Sequence, residues 1–419
     1  MNMIEMGKKA RNASRAMARV SAAQKEASLL CLAELLLEAS ASILEANEVD
    51  LAGARKAGLS AALIDRLTLN EARLQGIAAD LRVVASLPDP VGEAFEETIL
   101  PNGLLVHKQR VPLGVLGVIY EARPNVTVDV SGLAIKTGNA AILRGGSETF
   151  NSNRALVAVI QRALRENGLP AEAIQFVDDT DRKWVYELLQ MHEYVDMIIP
   201  RGGAALHDFC RENSRIPVIT GGIGICHLFV DESANLQASL EVIRNAKIQR
   251  PTVCNALDTV LVHRSVAAQL LPGLVGSLAQ DGVTFRADAS ALSYLEPAGN
   301  ASVSPAGPND FDTEWLALIL GLKVVDGLEQ AIEHIGAHST GHSDGILTED
   351  EEHAQRFVAE VDSAAVYVNA STRFTDGAQL GLGAEVAVST QRLHARGPMG
   401  LRELTTYKWV VEGEYHVRS

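Results

Sequence analysis

Between Gly114 and Ile219 the chain alternates short runs of β-branched and aliphatic residues with longer stretches of helical periodicity, and this alternation restricts the fold more than any other feature. "GVLGVIY" (Gly114 to Tyr120) reads as a strand, "VTVDVSGLAIKTGN" as a helix stopped by Gly138, and "AAILR" as the next strand. "RALVAVIQRALRENG", "DRKWVYELLQMH" and "AALHDFCREN" continue the helices, with "IQFV", "VDMIIP" and "IPVI" as strands between and after them. Strands apolar on both faces predict an open parallel sheet covered by helices. A second series follows "CHLFVDES": a helix near 234–246, a strand after Cys254, a helix over 265–278, strands "LKVV" and "DGILT", a helix over 350–361 and the strand "AAVYVN". A length of 419 residues exceeds one ordinary core. The expected class is therefore α/β with two parallel-sheet domains, divided near residue 232.

Two segments stand outside both series. "ETILPNGLLVHKQRVPLG" has a Pro-Asn-Gly turn between extended halves, and the tail "LTTYKWVVEGEYHVRS" alternates like a strand. Together they predict a small β arm that pairs with another subunit. Near the start, "ASLLCLAELLLEASASIL" is interrupted by Glu34 and Glu38, and Leu29, Leu32, Leu36, Ala39 and Ile43 recur at helical spacing, so an amphipathic helix is expected rather than a membrane span. The charged N-terminal stretch lacks the apolar core of a signal peptide. With 37 Lys and Arg against 52 Asp and Glu, a net charge of −15 disfavours broad nucleic-acid or anionic-membrane surfaces. Cys31, Cys210, Cys226 and Cys254 have neither zinc-type nor disulfide-frame spacing, and a reducing cytoplasm is expected. His334, His338 and His342 recur every fourth residue, but Gly336 and Gly341 predict a solvated loop there rather than a metal site.

In "AKIQRPTVCNALDTVLVH" Pro251 ends the preceding helix and Leu257 to Val262 read as a buried strand, so Cys254 falls on the connection, where a side chain can be offered to a ligand. Three other strand ends run into glycine turns: "ILRGGSE" (Arg144, Gly145, Ser147), "IIPRGGAA" (Arg201, Gly202, Gly203) and "VITGGIGI" (Gly221 to Gly224). Such turns let the backbone approach a phosphate at a helix N-terminus, and the arginines add local positive charge. Any one of them also serves as a plain turn, and no GxGxxG fingerprint with a downstream acid supports an ordinary Rossmann mode.

Several long strings, "YEARPNVTVDVSGLAIKTGNAAILRGGSE", "VCNA", "HSDGILTED", "AAVYVNASTRFTDGAQLGLGAEVAVSTQRLHARGPMGL" and "TTYKWV", resemble the gamma-glutamyl phosphate reductases (glutamate-5-semialdehyde dehydrogenases), the proline-biosynthesis branch of the aldehyde dehydrogenase superfamily. The resemblance covers essentially the whole chain. It implies an aldehyde dehydrogenase-like fold with an NADP-binding domain (1–94 and 113–232), a catalytic domain (233–403) and an oligomerisation arm (95–112 and 404–419). It also implies NADPH-dependent reduction of L-glutamyl 5-phosphate to glutamate 5-semialdehyde.

By the same resemblance Cys254 is the nucleophile and the Asn125 amide helps form an oxyanion hole. Arg144 falls where a lysine contacts the adenosine ribose, and Ser147 stands near an acid that favours NAD, which suits NADP(H). Gly202 and Gly203 match the pyrophosphate turn, and Glu314 in "EWLALI" matches the glutamate that holds the nicotinamide ribose. Gly145, Arg201 and Gly221 complete the expected cofactor set. Ile219 replaces the water-activating glutamate of hydrolytic relatives, as an acyl-phosphate reductase requires. Arg250 is the nearest candidate to favour the thiolate. Arg123, Arg250, Ser371, Thr372 and Arg373 are candidates for binding the substrate, its carboxylate and phosphate above all. Asn125 has a structural alternative as a helix cap. A hydrolytic aldehyde dehydrogenase and a non-catalytic nucleotide-binding protein are the alternative functions. A glutamate kinase is the expected partner, with a homo-oligomer as the expected assembly.

Overall fold

The computed structural model describes residues 2–221, 223–295 and 302–418. The chain divides into two compact units, Met1–Thr220 with Gly381–Ala387 and Met399–Ser419, and Gly221–Leu380 with Val388–Pro398.

The first unit opens with five helices, α1 (Met3–Met17), α2 (Ala22–Glu38), α3 (Ser40–Lys56), α4 (Ala61–Leu67) and α5 (Glu71–Ser86). Four begin at side-chain caps, with Asn2, Ser21, Ser60 and Asn70 accepting from a backbone N–H three residues on. The single amphipathic helix expected at "ASLLCLAELLLEASASIL" is in fact α2 and α3, bent by 68°. Leu29, Leu32, Leu36 and Ile43 are nevertheless all fully buried. Among the described residues no single helix is long and apolar enough to cross a membrane.

Next come β1 (Ala94–Ile99) and β2 (Leu105–Pro112), followed by the alternation β3 (Val115–Tyr120), α6 (Asn125–Lys136), β4 (Ala140–Gly145), α7 (Phe150–Glu166), β5 (Ile174–Phe176), α8 (Lys183–Gln190), β6 (Met197–Arg201) and α9 (Ala204–Asn213). The four strands β3 to β6 pair in parallel in the order β5-β4-β3-β6. "IPVI" joins them only through an isolated bridge from Val218 to Ile198, so the fifth strand expected there does not form a ladder.

In the second unit β7 (Cys226–Val230), α10 (Leu236–Ile248), β8 (Leu257–His263), α11 (Arg264–Gln280), β9 (Thr284–Ala287), α12 (Ala289–Leu295), β10 (Val303–Pro305), β11 (Ile319–Val325), α13 (Leu328–His338), β12 (Ser343–Leu347), α14 (Glu351–Glu360) and β13 (Ala365–Val368) follow in turn. Their sheet is parallel throughout, in the order β10-β9-β11-β8-β7-β12-β13. Alternate residues serve opposite faces. Leu228, Val230, Val260 and Val262 enter one core cluster, while Phe229, Leu261 and Ile346 enter another with Phe357.

The division expected near residue 232 lies at Thr220/Gly221, because β7 pairs with β8 and β12 rather than with the first sheet. The short hairpin β14 (Val388–Ser389) with β15 (Gly397–Pro398) belongs to the second unit, whereas 381–387 and 399–403, expected in the second domain, belong to the first. The loop expected around His334 is also corrected. His334 and His338 lie on α13, and His334 and His342 are buried. Ala331 and Ile335 draw that helix onto the core, and Gly336 is accommodated within it.

The last strand, β16 (Thr405–Glu412), pairs antiparallel with β2 to give a three-stranded sheet β1-β2-β16, as the two outlying segments predicted. Buried Asn139 ties this sheet's approach to the parallel one. Its Nδ2 donates to the Leu404 carbonyl at 2.8 Å and its Oδ1 accepts from Gly114 N–H at 2.8 Å. Asn139→Ala would orphan both groups, at about 1–3 kcal/mol each. A thermal midpoint lowered by several degrees is expected, and an unchanged midpoint would show that the two bonds are dispensable.

Candidate active site

In the first unit, β4 and β6 flank β3 on opposite sides, so the sheet reverses its strand order between β3 and β6. Open parallel sheets bind ligands outside the carboxyl ends of the strands at such a point. Three predicted elements meet the sheet there: Glu121 to Asn125 after β3, Gly145 to Ser147 after β4, and Gly202–Gly203 leading into α9. An added side chain would crowd its neighbours at two of these positions. A Cβ on Gly202 would lie 2.4 Å from the Glu121 carboxylate, and one on Gly145 would lie 2.1 Å from the Asn153 amide.

Glu121, which the sequence reading did not single out, accepts from Gly203 N–H at 3.1 Å with Oε2, while its own N–H donates to the Arg201 carbonyl. A carboxylate thus takes a donor at the mouth of α9. Arg144 is buried, and its guanidinium donates to the carbonyls of Gly145 and Thr180, the latter at 2.9 Å, leaving Nε without a partner among the described residues. Burial lowers its pKa. Ser147 opens a short 3-10 turn and borders a cavity of about 510 Å³ lined also by Val49, Ala54, Leu67, Ala122 and Glu148.

Arg123 is exposed just before α6. Asn125 begins α6, but Pro124 holds the cap position and no side-chain cap bond forms, so capping does not account for the asparagine. The Asn125 Nδ2 donates instead to Asp129 Oδ2, one turn along, at 2.9 Å. Burial, with the charge of Asp80 adding to it, pushes the Asp129 carboxyl up to about 7. The i, i+4 spacing was a visible signal for this pair.

In the second unit the expected residues gather at the amino ends of the strands. Cys254 lies between α10 and β8, as predicted, and is in no disulfide. Gly224, just before β7, passes so close that an added Cβ would fall 1.5 Å from the Cys254 carbonyl oxygen. The same carbonyl accepts from the Cys226 thiol at 3.3 Å. Gly224 N–H donates to Glu314 Oε1 at 3.0 Å, and burial raises the Glu314 pKa. Thr340 clamps the turn by accepting from Ile225 N–H at 3.0 Å and donating to the Ile223 carbonyl at 2.8 Å. A Cβ on Gly221 would lie 2.0 Å from the Val388 carbonyl oxygen, so the absence of a side chain there shapes this turn. Gly222 lies outside the described residues.

Asn255 anchors the other side of the nucleophile loop, donating to the Thr375 carbonyl at 2.9 Å while its own carbonyl accepts from Thr372 Oγ1 at 2.7 Å. Arg373 donates to Gln249 Oε1 at 2.7 Å. Burial and then the Arg250 charge lower its pKa, and the charge of Cys254 acts the other way, which puts Arg373 within electrostatic reach of both Arg250 and the Cys254 thiol. Ser371 is buried, and its hydroxyl accepts from Arg373 N–H, so it shapes the turn. Thr372 is likewise buried in that anchoring role.

Burial raises the thiol pKa of Cys210 to about 12 and that of Cys226 well above its ordinary value. Ile219 is buried and its N–H donates to Ile198 O.

Two parallel α/β units, one with a glycine-lined switch point and the other with a loop-borne free cysteine, are consistent with the aldehyde dehydrogenase class of oxidoreductases, and the aldehyde dehydrogenase family model matches residues 2–283. The chain is 58% identical to a gamma-glutamyl phosphate reductase of Roseiflexus castenholzii over 100% of both chains. It is 57% identical to one from Escherichia coli over 99% of each. The crystal structure of the Thermotoga maritima gamma-glutamyl phosphate reductase superposes with a TM-score of 0.97 at 47% identity, covering 100% of both. The chain therefore belongs to the gamma-glutamyl phosphate reductases.

Two measurements check the loop. Alkylation by iodoacetamide at pH 8, followed by peptide mapping, is expected to modify Cys254 well ahead of Cys210 and Cys226, and equal labelling would contradict the burial argument. Gly224→Ala is expected to reduce turnover at least tenfold in a folded protein, since the Cys254 backbone must move. Unchanged turnover would show that the approach is not needed.

Proposed function

We propose that the protein reduces L-glutamyl 5-phosphate to glutamate 5-semialdehyde with NADPH, in proline biosynthesis, through a thioester on Cys254. The observation that carries this reading is the loop on which Cys254 is set by Gly224, Cys226 and Asn255 within electrostatic reach of Arg373, in a chain closely similar to named gamma-glutamyl phosphate reductases. The Cys254 thiolate attacks the acyl carbon, the S–C bond forms, and the C–O bond to phosphate breaks. The Asn125 amide donates to the oxygen of the tetrahedral adduct, a contribution worth about 3–4 kcal/mol in comparable sites. Arg250 and Arg373 stabilise thiolate and anionic substrate groups, with Arg123 as a further substrate contact. When the thioester collapses after reduction, the C–S bond breaks and Cys254 is regenerated. A buried isoleucine at 219, in place of a carboxylate, supplies no base to activate water against the thioester.

The switch point fits an anionic dinucleotide, since Gly145 and Gly202 are positions a Cβ would fill and Arg144 keeps an Nε unpartnered among the described residues. NADPH, when bound, supplies the hydride. Gly202, Gly203 and α9 would hold the pyrophosphate, Arg144 and Ser147 the adenosine side, Arg201 the phosphates, and Glu314 the nicotinamide ribose. Since Glu121 competes for Gly203 N–H, Glu121→Gln is expected to lower the KM for NADP severalfold. An unchanged or raised KM would place the pyrophosphate elsewhere.

The three-stranded sheet is proposed to pair with a second copy, because β16 is an edge strand that exposes Tyr407, Trp409 and Val411. The reading also places the enzyme in the cytoplasm, receiving its labile acyl phosphate from a glutamate kinase.

The test follows NADPH formation from NADP and glutamate semialdehyde with and without inorganic phosphate. Phosphate-dependent turnover that is lost in Cys254→Ala supports the reductase. Equal turnover without phosphate would mean that water resolves the thioester, as in a hydrolytic aldehyde dehydrogenase.

A further inference from the structure

The first turns of α6 carry a pair of side chains that the proposed chemistry leaves half explained. Asn125 is assigned a role through its amide, yet an asparagine amide is two-faced. A half-turn about its last bond exchanges an N–H donor for a carbonyl acceptor, and an acceptor aimed at a developing oxyanion repels it. Something must select the face. The helix cap does not, because the Asn125 side chain makes no cap bond. The contact that selects it is the 2.9 Å bond from Asn125 Nδ2 to Asp129 Oδ2.

We infer that Asp129 is a positioning residue that locks the Asn125 amide with its nitrogen toward the carboxylate, so that the second N–H on that nitrogen is the one offered to the substrate oxygen. This rests on the proposed role of Asn125. An ionised carboxylate only accepts hydrogen bonds, so the group facing it has to be the NH2. The two N–H bonds of that nitrogen lie in one plane about 120° apart, so fixing one fixes the other. A protonated carboxyl can donate, and it then admits the flipped amide with its carbonyl turned toward Asp129. The lock therefore depends on ionisation. The charged groups that act on Asp129 are Asp80 from α5, which opposes ionisation, and Arg201 from the end of β6, which favours it, with burial the largest influence. The resulting carboxyl titrates at about 7. The orienting bond is thus strengthened as pH rises through neutrality.

The positions around the pair are held independently of it. Tyr120 at the end of β3 is hydrogen-bonded to Thr127 at 2.7 Å, and Thr127 donates to Asn153 at 2.9 Å, so the start of α6 is tied to β3 and α7 by a fully buried network. Removing the Asp129 carboxylate frees an amide rotor without unfastening the helix that carries it.

The experiment compares kcat, and KM for NADP and glutamate semialdehyde, between pH 6 and 9 in the full-length protein and in Asn125→Ala, Asp129→Leu, Asp129→Asn and the Asn125→Ala/Asp129→Leu double variant. Asn125→Ala is expected to lower kcat about a hundredfold. Asp129→Leu should lower it about tenfold or more with KM for NADP unchanged, and adding it to Asn125→Ala should lower it no further. Asp129→Asn, which like the protonated carboxyl can both donate and accept, is expected to hold kcat at the level of the low-pH limb throughout and so to lose the rise in kcat near pH 7. Full kcat in Asp129→Leu, losses that multiply in the double variant, or a pH limb that persists in Asp129→Asn would each overturn the inference. A defect confined to the KM for glutamate semialdehyde would instead make Asp129 a substrate ligand. Should Asn125→Ala itself leave kcat intact, it is the oxyanion role of Asn125 that fails, and the inference falls with it. Asp129→Asn alone decides the matter if the leucine variant does not fold.

Discussion

The backbone of Gly224 lies so close to the carbonyl of Cys254 that no side chain can stand between them. Around that approach the second unit arranges its functional loop. Glu314 holds Gly224 by its N–H, Thr340 clamps the residues on either side, and Cys226 donates its thiol to the same Cys254 carbonyl. Asn255 secures the opposite flank to the 372–375 turn. Cys254 is therefore set by its main chain, and its side chain inherits that position. Such rigidity matters because a displaced nucleophile loses the orientation on which a covalent step depends.

These residues sit at the amino ends of the parallel strands of their sheet, whereas the glycine turns of the first unit sit at carboxyl ends. The difference follows from what each must do. Carboxyl ends lead into helix N-termini, whose free N–H groups suit anions. A loop entering a strand has no such dipole, and here the charge within reach of Cys254 is that of Arg373. In a chain with a net charge of −15, the proposed anion sites therefore depend on local positive charge and helix starts.

Burial sorts groups of the same kind into different roles. Cys210 and Cys226 are enclosed and held as thiols, while Cys254 is half-buried on its loop. Among the histidines, burial lowers His342 to about 4 and His334 to about 2, so both remain neutral and serve as packing groups. Asp129 differs because burial brings its titration close to neutrality while its hydrogen bond to Asn125 opposes that shift.

Much of this was legible in the sequence because it is local. The two βαβ series, the connection carrying Cys254, the glycine turns after β4 and β6, and the outlying strands around a Pro-Asn-Gly turn all follow from periodicity and turn chemistry read over a few residues. Long matching strings also carried the family. What periodicity could not say was which partner each element would choose. β7 has the apolar run of any buried strand, and only its pairing with β8 and β12 assigned it to the second unit and moved the division to Thr220/Gly221. "IPVI" has equally suitable residues but secures only one bridge. His334 and His342 looked exposed beside glycines, yet both are buried, His334 on the packed face of α13 and His342 just before β12. Glu121 on Gly203 and Gly224 against Cys254 are contacts between residues far apart in the chain, and their distances are decided only when the sheets close. Local conformational preference is written residue by residue, whereas close approach and burial belong to the folded whole.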